Sequence, residues 1–397
     1  MTRRLTPRDQ IVYAIGFATV AAVLCAMGFT SHDGDSSLYA GISAHLSVEP
    51  VRQWIAPRWF ALWPDTLYDQ LFLEHPGGLF WLPAAMGRFL GLPGGPSAYV
   101  VGVAAGLGSL LWLSALVERV AGAAASRATL ILLPFMPVSF VFRVRANHEY
   151  PMFFCLVAAL VGLDRVRRAW GWTALVAAAF TGALLVKGIF SVLVVGAAGL
   201  WLLVNPARDR QAPLRPWIAV AVGLVTMLVA ALAYDRAYAN VTGHPFWSAY
   251  WERQIGPMSF ASPAEHATVV IEHVWFYVTH VLWDSAPWGL VLAWVAWLRL
   301  RGAGDHPLTD AERRGLTFVL LFTVAAALAL SVPSRFAERY TFSAVFLMGA
   351  AGVAAAWLQW PGVRRAIERA DAAIPALPAV VWTALVLGRV ILIGATT

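Results

Sequence analysis

Long apolar runs recur along the whole chain and are separated by short polar segments. A helix needs about 20 mostly apolar residues to cross a bilayer, because its backbone groups must be paired within the segment. About eleven runs meet this requirement, within a range of roughly 10–13. The pattern predicts an all-α, polytopic membrane protein forming one domain over residues 1–397. The predicted spans are 11–29, 97–117, 127–142, 150–163, 171–186, 188–204, 217–235, 281–298, 315–332, 340–358 and 375–394.

Composition supports a membrane protein and argues against two kinds of cysteine site. Hydrophobic residues make up 59% of the chain and charged residues 13%, whereas soluble domains carry about 25% charged residues. The 19 tryptophans fit a chain with many bilayer interfaces. Cys25 and Cys155 both lie in apolar runs, which argues against a disulfide framework or a thiolate metal site.

Basic residues predict the orientation of the chain in the membrane. If the N-terminus is cytoplasmic, every predicted inside segment carries arginine, while most carboxylates and histidines lie outside. This is the positive-inside pattern. The net charge of +7 therefore reflects topology, and it does not indicate a nucleic-acid partner. We expect a multi-pass protein of the bacterial inner membrane whose site faces the periplasm.

Two long outer loops, 30–96 and 236–280, separate predicted spans. Loops of this length usually carry function. The first loop contains amphipathic or apolar pieces at 37–46, 54–63 and 79–90. These pieces are too short or too broken to span, so we expect helices lying along the membrane plane.

The first loop opens with "SHDGDSSLYAGISAHL", which places His32, Asp33 and Asp35 directly after the first span. An N-cap for the following helix explains one aspartate. It does not explain a cluster with glycine between two carboxylates. A carboxylate at this depth could accept a proton from an acceptor hydroxyl.

Glu74 and His75 precede Pro76 in the same loop. Proline fits the first turn of a helix, so a cap explains Glu74 equally well. The pair could instead bind a metal ion or a phosphate.

A second polar cluster follows the third predicted span, in "FRVRANHEYPMFF". Arg143, Arg145, His148 and Glu149 lie within seven residues, against the positive-inside trend. Outer arginines can be snorkelling membrane anchors. Two arginines beside a histidine and a glutamate favour anion binding plus a carboxylate.

The remaining candidates are cations. Lys187 is the only lysine and lies between two apolar runs, where a charge is costly and indicates function; a snorkelling lysine at a tight turn is the alternative. Arg335 and Arg339 in "SRFAERY" are four residues apart, which places them on one helical face suited to phosphate. Glu338 could simply pair with either arginine.

The order of these motifs resembles that of the membrane C-type (GT-C) glycosyltransferases, similar to protein O-mannosyltransferases and aminoarabinose (ArnT-like) transferases. "DSSLYA" at 35–40 resembles the D-E-x-x-Y-A motif, and "EHPGGL" at 74–79 the H-P-P-L motif. The later matches are Arg145 to Phe154, "VKG" at 186–188 and Arg339-Tyr340. The chain departs from the pattern at Ser36 and Gly77, and we expect no counterpart of the extracytoplasmic C-terminal domain of many relatives.

The resemblance implies a function and a role for each candidate. The expected enzyme is an inverting glycosyltransferase that moves a sugar from a polyprenyl-phosphate donor to an extracytoplasmic lipid, glycan or protein. A divalent metal ion is a possible cofactor, held by Glu74 and His75 with a histidine of the second loop (His266, His273 or His280). The catalytic candidates are Asp35, Asp33 and Glu149; the donor-phosphate candidates are Arg143, Arg145, Lys187, Arg335 and Arg339; the pocket candidates are His32, Tyr39, His75, His148 and Tyr340.

Two other functions fit the same residues. A transporter or flippase for a lipid-linked or anionic substrate would use the arginines and Lys187 but would need no base at Asp35. An acyl or phosphate-group transferase would instead make His32 or His148 central.

Overall fold

The computed structural model describes residues 6–26, 34–58, 70–136, 138, 142, 144–205, 214–255, 263–301, 307–333 and 337–373. Within these ranges the regular secondary structure is helical, apart from one isolated bridge between Arg58 and Leu71. The helices are α1 (Pro7–Ala26), α2 (Gly34–Val48), α3 (Gly78–Leu90), α4 (Gly94–Leu132), α5 (Glu149–Val166), α6 (Trp172–Lys187), α7 (Ser191–Val204), α8 (Arg215–Thr242), α9 (Phe246–Tyr250), α10 (Pro263–Asp284), α11 (Trp288–Leu300), α12 (Asp310–Ser331), α13 (Phe342–Gln359) and α14 (Pro361–Ala373).

Five helical stretches of the described chain are long and apolar enough to cross a membrane, and a bent pair, His266–Asp284 with Trp288–Arg299, makes a sixth. This confirms the predicted class, an all-α membrane protein. The five stretches are Gly94–Leu132, Trp172–Val204, Arg215–Thr242, Asp310–Ser331 and Glu338–Gln359. The predicted span 375–394 lies outside the described residues.

Two of these stretches contain a turn where the sequence predicted separate spans. Gly122, with φ of +88°, interrupts α4 between the predicted spans 97–117 and 127–142. Gly188, with φ of +59°, separates α6 from α7, a conformation that favours glycine. There an added Cβ would also lie only 2.9 Å from the Tyr250 hydroxyl oxygen.

The direction of α7 follows from contacts at the two ends of α5. Lys187, which ends α6, lies 3.9 Å from Glu149 at the start of α5. Arg167, just after α5, donates a hydrogen bond of 2.5 Å to the backbone oxygen of Asn205, just after α7. These contacts place the end of α6 beside the start of α5 and the end of α7 beside the end of α5, so α6 and α7 form an antiparallel hairpin along α5.

One predicted span is wrong as a continuous helix. The run 281–298 is broken between Asp284 and Trp288, where the chain bends by 101°. Pro287 lies at this break, and proline lacks the amide hydrogen that a continuing helix needs. The end of the predicted span 217–235 also differs, because α8 continues to Thr242.

The first loop forms two of the expected short helices. Helices α2 and α3 correspond to the pieces at 37–46 and 79–90, and they pack on each other and on α4. Half of the third piece, residues 59–63, lies outside the described residues. Tyr39, Phe72 and Phe80 form the aromatic centre of this packing, which fixes α2 beside the first turn of α5.

Helix α5 lies at the centre of the bundle. It packs against α4, α6, α7 and α13, and Phe153, Leu160 and Leu163 are fully buried along it. Lipid is as apolar as these side chains, so close van der Waals packing stabilises the helix contacts. The first turn of α5 is therefore held rigidly from several sides.

Candidate active site

Asp35, Glu149 and Arg339 converge from three separate elements of the chain. Asp35 lies in the first turn of α2, Glu149 begins α5, and Arg339 belongs to a short 3-10 helix, Glu338–Thr341. The Arg339 Nη1 donates a hydrogen bond to Asp35 Oδ2, and its Nε lies 3.8 Å from Glu149 Oε1. One guanidinium therefore lies between the two carboxylates.

Lys187 supplies a second cation to the same group. Its Nζ lies 3.9 Å from Glu149 Oε1, and the rings of Phe190 and Tyr340 lie 4.9 and 5.0 Å from it. The side chain is 5% exposed, so Lys187 is not a snorkelling anchor that reaches water. Aromatic faces and a carboxylate stabilise the buried ammonium.

Two imidazoles and a phenol form the buried wall of the site. His148 Nε2 lies 3.0 Å from Glu149 Oε1, and the rings of His75 and His148 are 4.9 Å apart. Burial, and next the neighbouring His148, lower the pKa of His75 well below its ordinary value. Burial also raises the pKa of Tyr39 well above its ordinary value, and Asp35 acts in the same direction. The wall is therefore made of neutral groups that can orient hydroxyls.

The electrostatic balance of the site is close to neutral. Asp35 and Glu149 supply two negative charges, and Lys187 and Arg339 supply two positive charges. Three of the charges also suit the helix ends that carry them, because Asp35 and Glu149 lie in first turns and Lys187 lies in a last turn, where the helix dipole favours each sign of charge. Helix dipoles alone do not explain why all four meet at one point, which is the arrangement expected of a binding site for a charged substrate.

A cavity of about 180 Å³ lies beside Arg339 and gives this group an opening. Arg145 reaches the cavity and stacks over the Phe142 ring at 4.3 Å. Two further carboxylates face it, from Asp284 at the end of α10 and Glu338 next to Arg339. The complete lining is Val138, Phe142, Arg145, Asp284, Glu338, Arg339, Phe342 and Val345.

The structure brings most of the sequence candidates together. Asp35, Tyr39, His75, His148, Glu149, Lys187, Arg339 and Tyr340 lie in one cluster, and Arg145 lines the adjoining cavity. Glu74 is close enough to Tyr39 to contribute to the raised pKa of its phenol. Four candidates, His32, Asp33, Arg143 and Arg335, lie outside the described residues.

Sequence reasoning missed Asp284 as a site residue. The sequence pattern places Asp284 inside a continuous span over 281–298 and does not predict the break in that helix. Two signals in the sequence could have found it, a carboxylate inside an apolar run and a proline three residues later. Together they indicate a turn at which a polar side chain can face a cavity.

A metal site has no complete ligand set within the described residues, where no group of three His, Cys, Asp or Glu side chains could hold an ion. Two of the histidines considered for it have other contacts. His273 Nδ1 lies 3.3 Å from the backbone oxygen of Ser331, and His280 Nδ1 lies 2.8 Å from that of Phe276 in its own helix. A backbone oxygen at Nδ1 leaves the Nε2 of each ring able to bind a metal ion, so these contacts exclude neither histidine, and a metal site at Glu74 and His75 stays a prediction.

Comparison with known proteins gives one family match. Residues 74–234 match the family described as dolichyl-phosphate-mannose-protein mannosyltransferase. This range includes His75, Glu149 and Lys187, whereas Asp35 and Arg339 lie outside it. No curated protein sequence matches the chain significantly.

The fold is similar to that of ArnT from Cupriavidus metallidurans. The apo structure of ArnT aligns with a TM-score of 0.61 and 16% identity. The structure bound to undecaprenyl phosphate aligns with a TM-score of 0.62 and 19% identity. Each alignment covers 91% of this chain and 63% of the ArnT chain, so this chain spans less than two thirds of the length of ArnT. The family match and the shared architecture agree with the order of the sequence motifs, and the similarity to the two ArnT structures shows that this chain has the ArnT fold.

Proposed function

We propose that the protein is an inverting glycosyltransferase that moves a sugar from a polyprenyl-phosphate donor to a hydroxyl of an extracytoplasmic acceptor. The observation that carries the proposal is the position of Arg339 between Asp35 and Glu149, with Lys187 beside them. A phosphate-bearing donor needs fixed cations, and a hydroxyl acceptor needs a carboxylate base. Both lie within one cluster at the end of apolar helices, where a lipid-linked donor can enter from the membrane.

The two carboxylates differ in exposure, and this difference supports different roles for them. The side chain of Asp35 is 35% exposed, whereas that of Glu149 is 1% exposed. A general base must reach the proton that it removes, so Asp35 is the base. Glu149 is a positioning residue that holds Lys187, Arg339 and His148 in place.

The reaction follows from this assignment. The acceptor oxygen attacks the anomeric carbon of the donor as the bond from that carbon to the phosphate oxygen breaks. The hydroxyl proton passes to Asp35, and the electron pair of the broken bond leaves with the polyprenyl phosphate. Attack opposite the leaving group inverts the anomeric carbon.

Lys187 and Arg339 stabilise the phosphate as it leaves, and Arg145 can approach the same group through the cavity. Cations that are already fixed in a poorly hydrated site need no reorganisation during the reaction. The donor phosphate also competes with Asp35 for Arg339. Donor binding therefore frees the base, and we expect donor to bind before acceptor.

The comparisons support the donor class. The family match includes Glu149 and Lys187, and the fold is similar to that of ArnT, one structure of which is bound to undecaprenyl phosphate. The proposed partners are a polyprenyl-phosphate sugar, membrane lipids and a lipid, glycan or protein acceptor. The proposed location is the bacterial inner membrane, with the site facing the periplasm.

The test is turnover by the purified protein. Supplied with a polyprenyl-phosphate sugar and an acceptor, it should release free polyprenyl phosphate and form a product of inverted anomeric configuration. The matched control is Glu272→Gln, which neutralises an exposed carboxylate of α10. Movement of intact donor across vesicles without sugar transfer would establish a transporter instead.

A further inference from the structure

A cluster of arginines lines a second cavity at the opposite end of α5 from Glu149. This cavity has a volume of about 120 Å³ and is lined by Arg119, Arg167 and Arg314. Its distance from the acidic site is roughly 26 Å, from the length of α5 at about 1.5 Å per residue. It is therefore separate from the donor site.

The positive charge of this cavity is only partly compensated. Arg119 forms an ion pair with Asp164. Arg167 and Arg314 instead donate to the backbone oxygens of Asn205 and Asp310, and no carboxylate of the described residues pairs with either guanidinium. The Arg167 Nε is buried without a hydrogen-bond partner among the described residues. Burial, and next Arg314, lower the pKa of Arg167, which indicates that an anion is favoured there.

An apolar cleft adjoins the arginine cavity. Val120 and Trp201 line both spaces. The cleft has a volume of about 110 Å³ and is partly open, with walls from α4, α7, α12 and α13. Its one charged lining residue, Glu312, accepts a hydrogen bond of 2.7 Å from the Thr309 amide in a capping box, so this carboxylate is already engaged.

We propose that the arginine cavity and the cleft together bind one anionic phospholipid. The phosphate lies among Arg119, Arg167 and Arg314, and one acyl chain lies in the cleft past Trp201. Basic pockets between transmembrane helices on the arginine-rich side recognise anionic headgroups in this way. The contiguity of the two spaces favours a lipid over a free anion, because a small anion would leave the apolar cleft unfilled.

The test is lipid binding by the full chain in detergent, followed by native mass spectrometry with dioleoyl-phosphatidylglycerol and dioleoyl-phosphatidylcholine. The double variant Arg167→Ala, Arg314→Ala removes the uncompensated cations, and we expect it to weaken phosphatidylglycerol binding about tenfold or more. Ala351→Phe fills the cleft without changing charge and should also weaken binding. Arg365→Ala, which removes an exposed arginine of α14 outside the site, is the matched control.

Each result decides the proposal. Selective binding of phosphatidylglycerol that is lost in the double variant and in Ala351→Phe, but kept in Arg365→Ala, supports it. Equal binding of both lipids, an equal loss in Arg365→Ala, or no bound lipid overturns it. Displacement by inorganic phosphate with no effect of Ala351→Phe also overturns it, since that result defines a site for small anions. Arg167→Lys, Arg314→Lys retains both charges and should recover part of the binding if the double alanine variant folds poorly.

Discussion

Arg339 donates a hydrogen bond to Asp35 across 304 positions of the sequence. The contact joins the start of α2 to the 3-10 helix before α13, and Glu149 lies on the other side of the guanidinium. Both partners are about one third exposed, so the ion pair contributes at most about 1 kcal/mol to stability. The ion pair matters mainly for position, because it places the Arg339 guanidinium beside the proposed base, from which the donor phosphate can draw it away.

The first prediction concerns the base itself. Asp35→Asn keeps the shape of the side chain but cannot accept the proton, so turnover should fall by about two to four orders of magnitude. Because the donor phosphate no longer competes with the Asp35 carboxylate for Arg339, donor affinity should not fall, and the melting temperature should stay near that of the unchanged protein. If Asp35 served only as a helix cap, stability would fall by about 1 kcal/mol with turnover intact. Asp33→Asn should cost less turnover than Asp35→Asn.

Glu149 should affect stability as well as turnover, unlike Asp35. Glu149→Gln leaves Lys187 and Arg339 near a neutral amide in a buried site, and breaking a buried ion pair costs about 3–5 kcal/mol. We expect a lower melting temperature together with lower turnover, measured on the same preparation. A variant that melts normally and loses only turnover would instead make Glu149 a second catalytic group.

Phosphate capture depends on the cations. Lys187→Ala and Arg339→Ala should each weaken donor binding about tenfold or more, because a hydrogen bond to a charged group contributes about 1.5–3 kcal/mol. Arg339→Lys should recover part of the affinity, since it retains the charge and loses the fork geometry. Arg52→Ala, at an exposed position, is the control. If folded Lys187→Ala and Arg339→Ala both keep the unchanged donor affinity, these cations do not bind the phosphate and their role is structural.

The amino-acid sequence predicted the charged members of the site better than its walls. Lys187 and Glu149 stand out because a charge beside apolar runs is costly, and the turn at Gly188 follows from the boundary between two runs. The contact of His75 with His148 depends on how α2 and α3 pack beside α5, which no local pattern specifies. Asp284 was missed for a related reason. The break before Trp288 follows from the bend of 101° between α10 and α11, which the apolar pattern does not specify.

Stability should depend on pH through His75. The pKa of this imidazole is lowered in the folded protein by burial, His148 and the nearby cations, whereas the unfolded value is about 6.5. The stability linked to His75 is therefore fully present above pH about 6.5 and is lost as the pH falls below it toward the folded pKa. The melting temperature should decline over that range. His75→Gln should flatten the decline, and exposed His244→Gln should leave it unchanged.

The last prediction tests on which side of the membrane the acidic site lies. Val48 ends α2, the helix that carries Asp35, and is 76% exposed. Ala169 is exposed in the turn between α5 and α6, beside the arginines of the predicted inside segment. In a background with Cys25→Ser and Cys155→Ala, a membrane-impermeant maleimide should label Val48→Cys in intact spheroplasts. The same reagent should label Ala169→Cys only after permeabilisation. The reverse pattern would place Asp35 and the cluster around it on the cytoplasmic side. A base there could not serve an extracytoplasmic acceptor, so the proposed reaction would fail even if the cluster binds phosphate.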